Sequence, residues 1–206
     1  MQIDPALHSF AENYKLLTNL VIPRPIAWIT SKSHDGVINL APFSFFNAVG
    51  ADPVFLIVSI GLNDAGGTKD TARNIESRGE FVVNLVTEDL FAAMNISAAD
   101  FPPDISELEV AQLHTAPSAH ISVPRVAESK VSMECVLHAT HPLGANTLII
   151  GKVVMFHIAD HLLGPRLHIE NFTPLGRMGS PSVYCRTTDN FDVPRISYAQ
   201  WLKGNK

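Results

Sequence analysis

The segment NLAPFSFFNAV, residues 39–49, sets three phenylalanines, Phe43, Phe45 and Phe46, among a proline, a serine and two asparagines. Residues 37–47 read as a β-strand interrupted at Pro42. A proline has no N–H for a neighbouring strand, so this part of the strand belongs at an edge, a bulge or a rim. A segment that only filled a core would have little use for Asn39, Pro42, Ser44 and Asn47. Successive strand residues face opposite sides, so Phe45 and Phe46 must point apart if the strand stays regular. What lies against an aromatic strand that keeps its polar groups is the question the rest of the chain has to answer.

Upstream, PIAWITS (25–31) is an apolar, β-branched strand, and Asp35-Gly36 supplies the hairpin turn between it and the aromatic segment. Downstream, PVFLIVSI (53–60) is a short apolar run of the kind found in buried strands. Residues 66–79 carry helix punctuation, with Thr68 or Asp70 as N-cap and Gly79 at the end. A strand over 80–87 and a helix over 88–99 follow. Four prolines mark 100–125 as an excursion with one helical turn at 105–112. In 131–139, Val131, Met133, Cys135 and Leu137 alternate with Ser132, Glu134 and His138, the pattern of a half-buried strand. Residues 140–146 are hairpin-like. The strand over 147–159 contains Gly151, which signals a bulge or a barrel bend. From about residue 174 the chain looks irregular. Some six strands with two or three helices predict a mainly β fold, a β-barrel with flanking helices, or an α+β arrangement. The strands and helices do not alternate regularly, which disfavours a doubly wound parallel sheet.

The 206 residues suit one large domain spanning 1–206. Apolar residues make up 46% and charged residues 17%, enough to bury a sizeable core. A formal charge of −5 without any Lys/Arg run argues against nucleic-acid or anionic-membrane partners. No apolar stretch approaches the roughly 20 residues of a membrane helix. The first ten residues lack a cationic start followed by an apolar run, so no signal peptide is expected. Two cysteines without a CxxC pattern speak against a disulfide framework or thiolate zinc site and fit a reducing, cytoplasmic compartment.

Nucleophilic chemistry finds little support. There is no GxSxG elbow, Cys135 sits on an alternating strand where thiols pack, and nothing near Cys185 lowers its pKa. His157 and His161 are four apart, but on a strand that spacing is about 13 Å, and no glutamate completes an HExxH pattern. The histidines therefore read as surface or hydrogen-bonded core residues, and no metal is expected. GxGxxG and P-loop motifs are absent. GLNDAGGTKDT (61–71) leads into a helix start with Lys69 and two threonines. It is either a phosphate cradle or an ordinary capped helix. In PRPIAWITS (23–31), prolines on both sides fix where Arg24 points. The alternative is an edge strand with a surface arginine and a core tryptophan.

Taken in order, RPIAWITS, DG, NLAPFSFFNAV, DPVFLIVSI, KDTARNI, EFVVNLV, LIIGKVV and TPLGRMG resemble the flavin reductase-like, FMN-binding split-barrel family over roughly residues 14–185. The resemblance implies a six-stranded antiparallel Greek-key split barrel with flanking helices, forming a homodimer with one FMN per subunit near the dimer interface. It implies cofactor contacts at Arg24, Trp28, Thr30 and Ser31, at Ala41, Pro42, Phe43, Ser44 and Asn47, and at Lys69, Asp70 and Thr71. Lys69 and Thr71 would meet the phosphate, and Arg177 would be the C-terminal residue nearest the flavin. The implied activity is an NAD(P)H-dependent flavin reductase that passes hydride to flavin and supplies it, reduced, to a monooxygenase partner. The alternatives are a flavoredoxin-like electron carrier with tightly bound FMN, serving an electron-transfer partner, and a non-catalytic split-barrel binding module. The chemistry belongs to the cofactor, so no catalytic side chain is assigned. One departure stands out: Asn146 occupies the position where many reductases of this superfamily carry a histidine.

Overall fold

In the computed structural model, which describes residues 1–179 and 181–204, the chain opens on helix α1 (Phe10–Leu20). Its N-terminus is a capping box. The Ser9 hydroxyl accepts from the Glu12 N–H, and the Glu12 carboxylate accepts from the Ser9 N–H. A short β1 (Arg24–Pro25) leads into β2 (Ala27–Lys32), which a turn at Asp35 and Gly36 returns as β3 (Ile38–Phe43). Next come β4 (Phe46–Ala51), β5 (Val54–Ile60), α2 (Asp70–Arg78), β6 (Glu80–Asn84), α3 (Phe91–Ile96) and α4 (Glu107–Val110). The small pair β7 (Thr115–Ala116) and β8 (Arg125–Val126) precedes the long hairpin β9 (Val131–Leu143) and β10 (Asn146–Ile158). The chain closes with β11 (Gly176–Arg177), β12 (Tyr184–Cys185) and α5 (Tyr198–Gly204). Among the described residues, no helix is long and apolar enough to cross a membrane.

The main sheet has seven antiparallel strands in the order β3-β2-β6-β9-β10-β5-β4. β3 and β4 are separated only by Ser44 and Phe45, yet they occupy opposite edges. So short a link brings the two edges together and curls the sheet on itself. The single strand expected over 37–47 is therefore two strands, and the main sheet has seven strands in all. The break falls after Phe43, where the chain stops pairing with β2, and pairing with β5 begins at Phe46. Pro42 itself lies opposite Trp28 on the edge strand β3, where a missing N–H removes no ladder bond.

The barrel interior is filled by Ile29, Phe43, Val58, Phe81, Cys135 and Ile149, among others. A register shift lies between Ile150 and Gly151, and the Phe81 ring sits against the glycine. A Cβ at Gly151 would come within 2.4 Å of the ring, so only glycine allows this approach. A second cluster, with Trp28, Leu40, Val86, Met94, Leu108 and Val126, packs on the outer face of β2 and β3. β2 is therefore buried on both sides, from Ala27 through Ser31.

Three expectations are corrected. The start of β9 is not half-buried, because Ser132 and Glu134 are fully buried as well. Part of the 100–125 excursion covers that face. Glu134 accepts the backbone N–H groups of Ala119 (2.6 Å) and His120 (2.8 Å) and lies 2.5 Å from His157 Nε2. Neither Thr68 nor Asp70 caps α2; Lys69 is the N-cap and makes no side-chain cap bond, while Gly79 ends the helix in the left-handed conformation as expected. The C-terminal region is not wholly irregular. β11 pairs with β1, Arg24 opposite Arg177, and with β12. Asn205 and Lys206, at the end of that tail, lie outside the described residues.

Candidate functional site

A cleft runs between the outer edge of β3 and the start of α2. Ala41, Pro42 and Phe43 form one wall, Lys69, Asp70 and Thr71 face them, and the loop Ser97–Phe101 with Glu107 closes the end. Its cavity volume is about 150 Å³, and it opens to solvent along one side.

The β3 wall follows from strand geometry. Alternate residues of an edge strand direct their backbone groups away from the sheet. The Ile38 carbonyl accepts from Ser106 Oγ (2.6 Å), and the Leu40 N–H donates to Glu107 Oε2 (2.8 Å). The start of α4 thus stands in for a missing strand. Two residues further on, the outward position is Pro42, which offers a carbonyl and no N–H. Beyond α4 the edge therefore presents acceptors to the cleft, suited to a ring N–H.

The facing wall is the N-terminus of a nine-residue helix whose first N–H groups have no side-chain cap, a favourable place for an anion. α2 is seated on the β2–β3 hairpin by Asn39 Nδ2, which donates to Thr71 Oγ1 (2.9 Å), and by Asn74 Nδ2, which donates to Ser31 Oγ (3.2 Å). Thr71 Oγ1 accepts that bond and keeps its own proton to donate. Lys69 Nζ lies 2.6 Å from Asp100 Oδ1, and Asp100 also accepts the Asp64 N–H. Those two bonds, that from Lys69 foremost, hold the Asp100 carboxyl below its ordinary pKa. Arg73 pairs with Asp70. Glu107 differs. Burial pushes its pKa up, the bonds from Leu40 and its own amide only partly oppose this, and the charge of Asp70 adds to the rise.

The sequence-predicted residues fall into three groups. Ala41, Pro42, Phe43, Lys69, Asp70 and Thr71 meet in this cleft. Arg24, Ser44 and Asn47 line a neighbouring groove with Leu17 and Phe45. There the Arg24 guanidinium donates to the carbonyls of Thr18 (2.6 Å), Val21 (2.8 Å) and Met178 (2.8 Å), and to Ser44 Oγ (3.3 Å). The structure does not bring the side chains of Trp28, Thr30 and Ser31 to either place, for all three are fully buried. Trp28 Nε1 donates to Ser97 Oγ, Thr30 Oγ1 donates to the Pro124 carbonyl, and Ser31 Oγ accepts from Asn74. They act on the cleft indirectly: Trp28 anchors the loop that closes it, and Ser31 helps seat α2. Arg177 lies opposite Arg24, stacks on Tyr184 at 4.5 Å and donates to the Pro181 carbonyl, away from the cleft wall. Of the phenylalanines, Phe43 lines the cleft, Phe45 turns toward Tyr14 and Arg24, and Phe46 packs on the barrel core.

Sequence reasoning missed Ser97, Asp100 and Glu107 as cleft residues. Only Glu107 carried a signal, as an acid in the one helical turn of a proline-rich excursion. Asn146 stands at the rim, where its Nδ2 donates to Ser59 Oγ (3.0 Å) and its side chain approaches Gly61, itself a cleft residue. Neither cysteine is placed to react. Cys135 is buried, which pushes its thiol pKa up, and Cys185 lies outside the cleft.

Comparison with known proteins places the geometry in context. The model of the flavin reductase like domain matches residues 19–187. Nitrilotriacetate monooxygenase component B from Bacillus cereus superposes with a TM-score of 0.89 at 42% identity, covering 94% of this chain and 98% of that one. Pseudomonas fluorescens 2-nitrobenzoate 2-nitroreductase superposes with a TM-score of 0.87 at 32% identity, covering 96% and 98%. An uncharacterized protein of Halalkalibacterium halodurans is 39% identical in an alignment of 207 positions that covers 97% of this chain and 99% of its own.

Proposed function

The chain belongs to the flavin reductase-like domain family, and from that premise we propose that it is an FMN-dependent oxidoreductase that takes hydride from NAD(P)H. The observation that carries this reading is the cleft, where an uncapped, lysine-bearing helix start faces a proline-interrupted sheet edge. These two walls fit the two ends of FMN. Lys69, the first N–H groups of α2 and the Thr71 hydroxyl suit the phosphate. The Pro42 carbonyl suits the polar edge of the isoalloxazine. When bound, the flavin supplies the hydride-accepting chemistry. The chain's own part is to bind, to orient and to exclude water. No protein acid or base is assigned to the transfer, and Asn146 rather than a histidine stands at the rim.

The similarity to a monooxygenase component B supports a role in delivering reduced flavin to an oxygenase. The reading includes a homodimer, supported by the exposed apolar stripe of α1, with Phe10 73% and Leu20 76% accessible. A monomeric mass in sedimentation would remove that part.

Purified protein should bind about one FMN per chain. Under anaerobic mixing, NADH or NADPH should bleach the visible absorbance of that flavin. A protein without FMN affinity would overturn the whole reading, whereas bound FMN that neither nucleotide reduces would favour the electron carrier. Lys69→Ala should weaken FMN by about 2 kcal/mol, roughly thirtyfold in Kd, the scale of one charge-assisted hydrogen bond. Riboflavin, which lacks the phosphate, should bind the variant and the wild type alike. Equal loss for both ligands would show that Lys69 does not serve the phosphate.

A further inference from the structure

The charges in the cleft do not balance for a dianion. Two cations, Lys69 and Arg73, stand near three carboxyl groups. Lys69 pairs with Asp100 and Arg73 with Asp70. Glu107 has no cation partner among the described residues, and it is the most buried of the three acids, at 5% exposure. A phosphate monoester adds close to two negative charges at neutral pH. With Glu107 ionised, the cleft would hold three carboxylates and a dianion against Lys69 and, beside Asp70, Arg73, and Glu107 is the one of these charges that solvent screens poorly.

We propose that Glu107 is the proton-carrying group of the cleft: it takes up one proton from solvent when a phosphate monoester binds, and offers that proton as a hydrogen bond to a phosphate oxygen. This rests on the cleft being the FMN site. The carboxyl is suited to the task because one oxygen already accepts the Leu40 N–H (2.8 Å), while a protonated second oxygen becomes a donor. The balance is simple, since the phosphate remains dianionic and only the carboxylate changes state. Its surroundings agree. β3 carries no ionisable side chain. From α2 and its N-cap come Asp70, paired with Arg73, and Lys69, and from the closing loop comes Asp100. On α4 itself Glu109 is exposed to solvent. Burial already holds the Glu107 carboxyl above its ordinary pKa. The device would make the cleft select phosphorylated flavin and release it more readily as pH rises.

The test is calorimetric titration of the protein with FMN at pH 8, where a free phosphate monoester is already dianionic, in two buffers of different ionisation enthalpy. The wild type should take up close to one proton per FMN and none with riboflavin. Its Kd for FMN should rise by up to about tenfold per pH unit above neutrality, the linkage limit for one proton. Glu107→Gln keeps an oxygen for the Leu40 N–H and an amide donor for the phosphate. It should bind FMN without proton uptake and with a flat pH profile. Absence of uptake by the wild type overturns the proposal even if the variant fails to fold. Equal uptake by wild type and variant also overturns it, because the proton then sits elsewhere. A wild type that binds no FMN at all refutes the flavin reading itself and this proposal with it.

Discussion

Glu134→Ala should destabilise the protein by about 3–5 kcal/mol, the range for removing one partner of a buried charged network. The carboxylate is fully buried on β9. It accepts two backbone N–H groups from the covering segment, Ala119 and His120, and bonds His157 on β10. Alanine would leave both N–H groups and the imidazole without their acceptor in a place water does not fill readily. Chemical denaturation should show the midpoint falling sharply; a loss under about 1 kcal/mol would mean that water replaces the carboxylate. The same network sets a pH dependence. Burial, the largest single influence, pushes the Glu134 pKa up, but His157 and the two N–H groups together outweigh it, and the net shift is downward. A folded value below the unfolded one, about 4.3, means that this contribution is complete above that pH and is lost as pH falls through the depressed value. The acid limb of the stability curve should therefore be shallower in Glu134→Gln than in the wild type.

Arg24→Ala is expected to have an effect of similar size, about 3–5 kcal/mol, because three carbonyls and a hydroxyl lose a charged donor at once. Those acceptors belong to the end of α1 (Thr18), the residue after it (Val21), the segment following β11 (Met178) and the β3–β4 link (Ser44). One guanidinium fastens all of them. Hydrogen exchange should then show α1 and residues 176–179 loosening together. Loss of FMN affinity with an unchanged unfolding midpoint would instead mean that Arg24 meets the ligand directly.

The features at Pro42 and Gly151 were legible because a proline belongs at an edge, where its missing N–H costs no ladder bond, and a glycine admits a ring, each through its own covalent structure. The cleft walls came together through the resemblance, because the helix start at Lys69 read by itself either as a phosphate cradle or as an ordinary capped helix. The roles of Trp28, Thr30 and Ser31 were not legible. Whether a polar side chain in a strand meets a ligand or a neighbour depends on which segments cover that face, and the covering residues lie 43–94 positions away in the chain. Glu134 was misjudged for the same reason. Its strand alternates as a half-exposed one would, and only the return of Ala119 and His120 buries the polar side.

The link of Ser44 and Phe45 also bears on the order in which the molecule is made. Hairpins β2–β3, β4–β5 and β9–β10 join chain neighbours, but β6 must find β2 and β9, and β5 must find β10, across long intervals. Pairings of high sequence separation form slowly. The link holds the first two hairpins side by side at the two edges, and the circuit on the other side stays open until β6, β9 and β10 have been laid between β2 and β5. A growing chain should gain no ligand affinity as its N-terminal half emerges, although most of the cleft residues are already synthesised. Affinity should instead arrive abruptly, with the strand that completes the circuit.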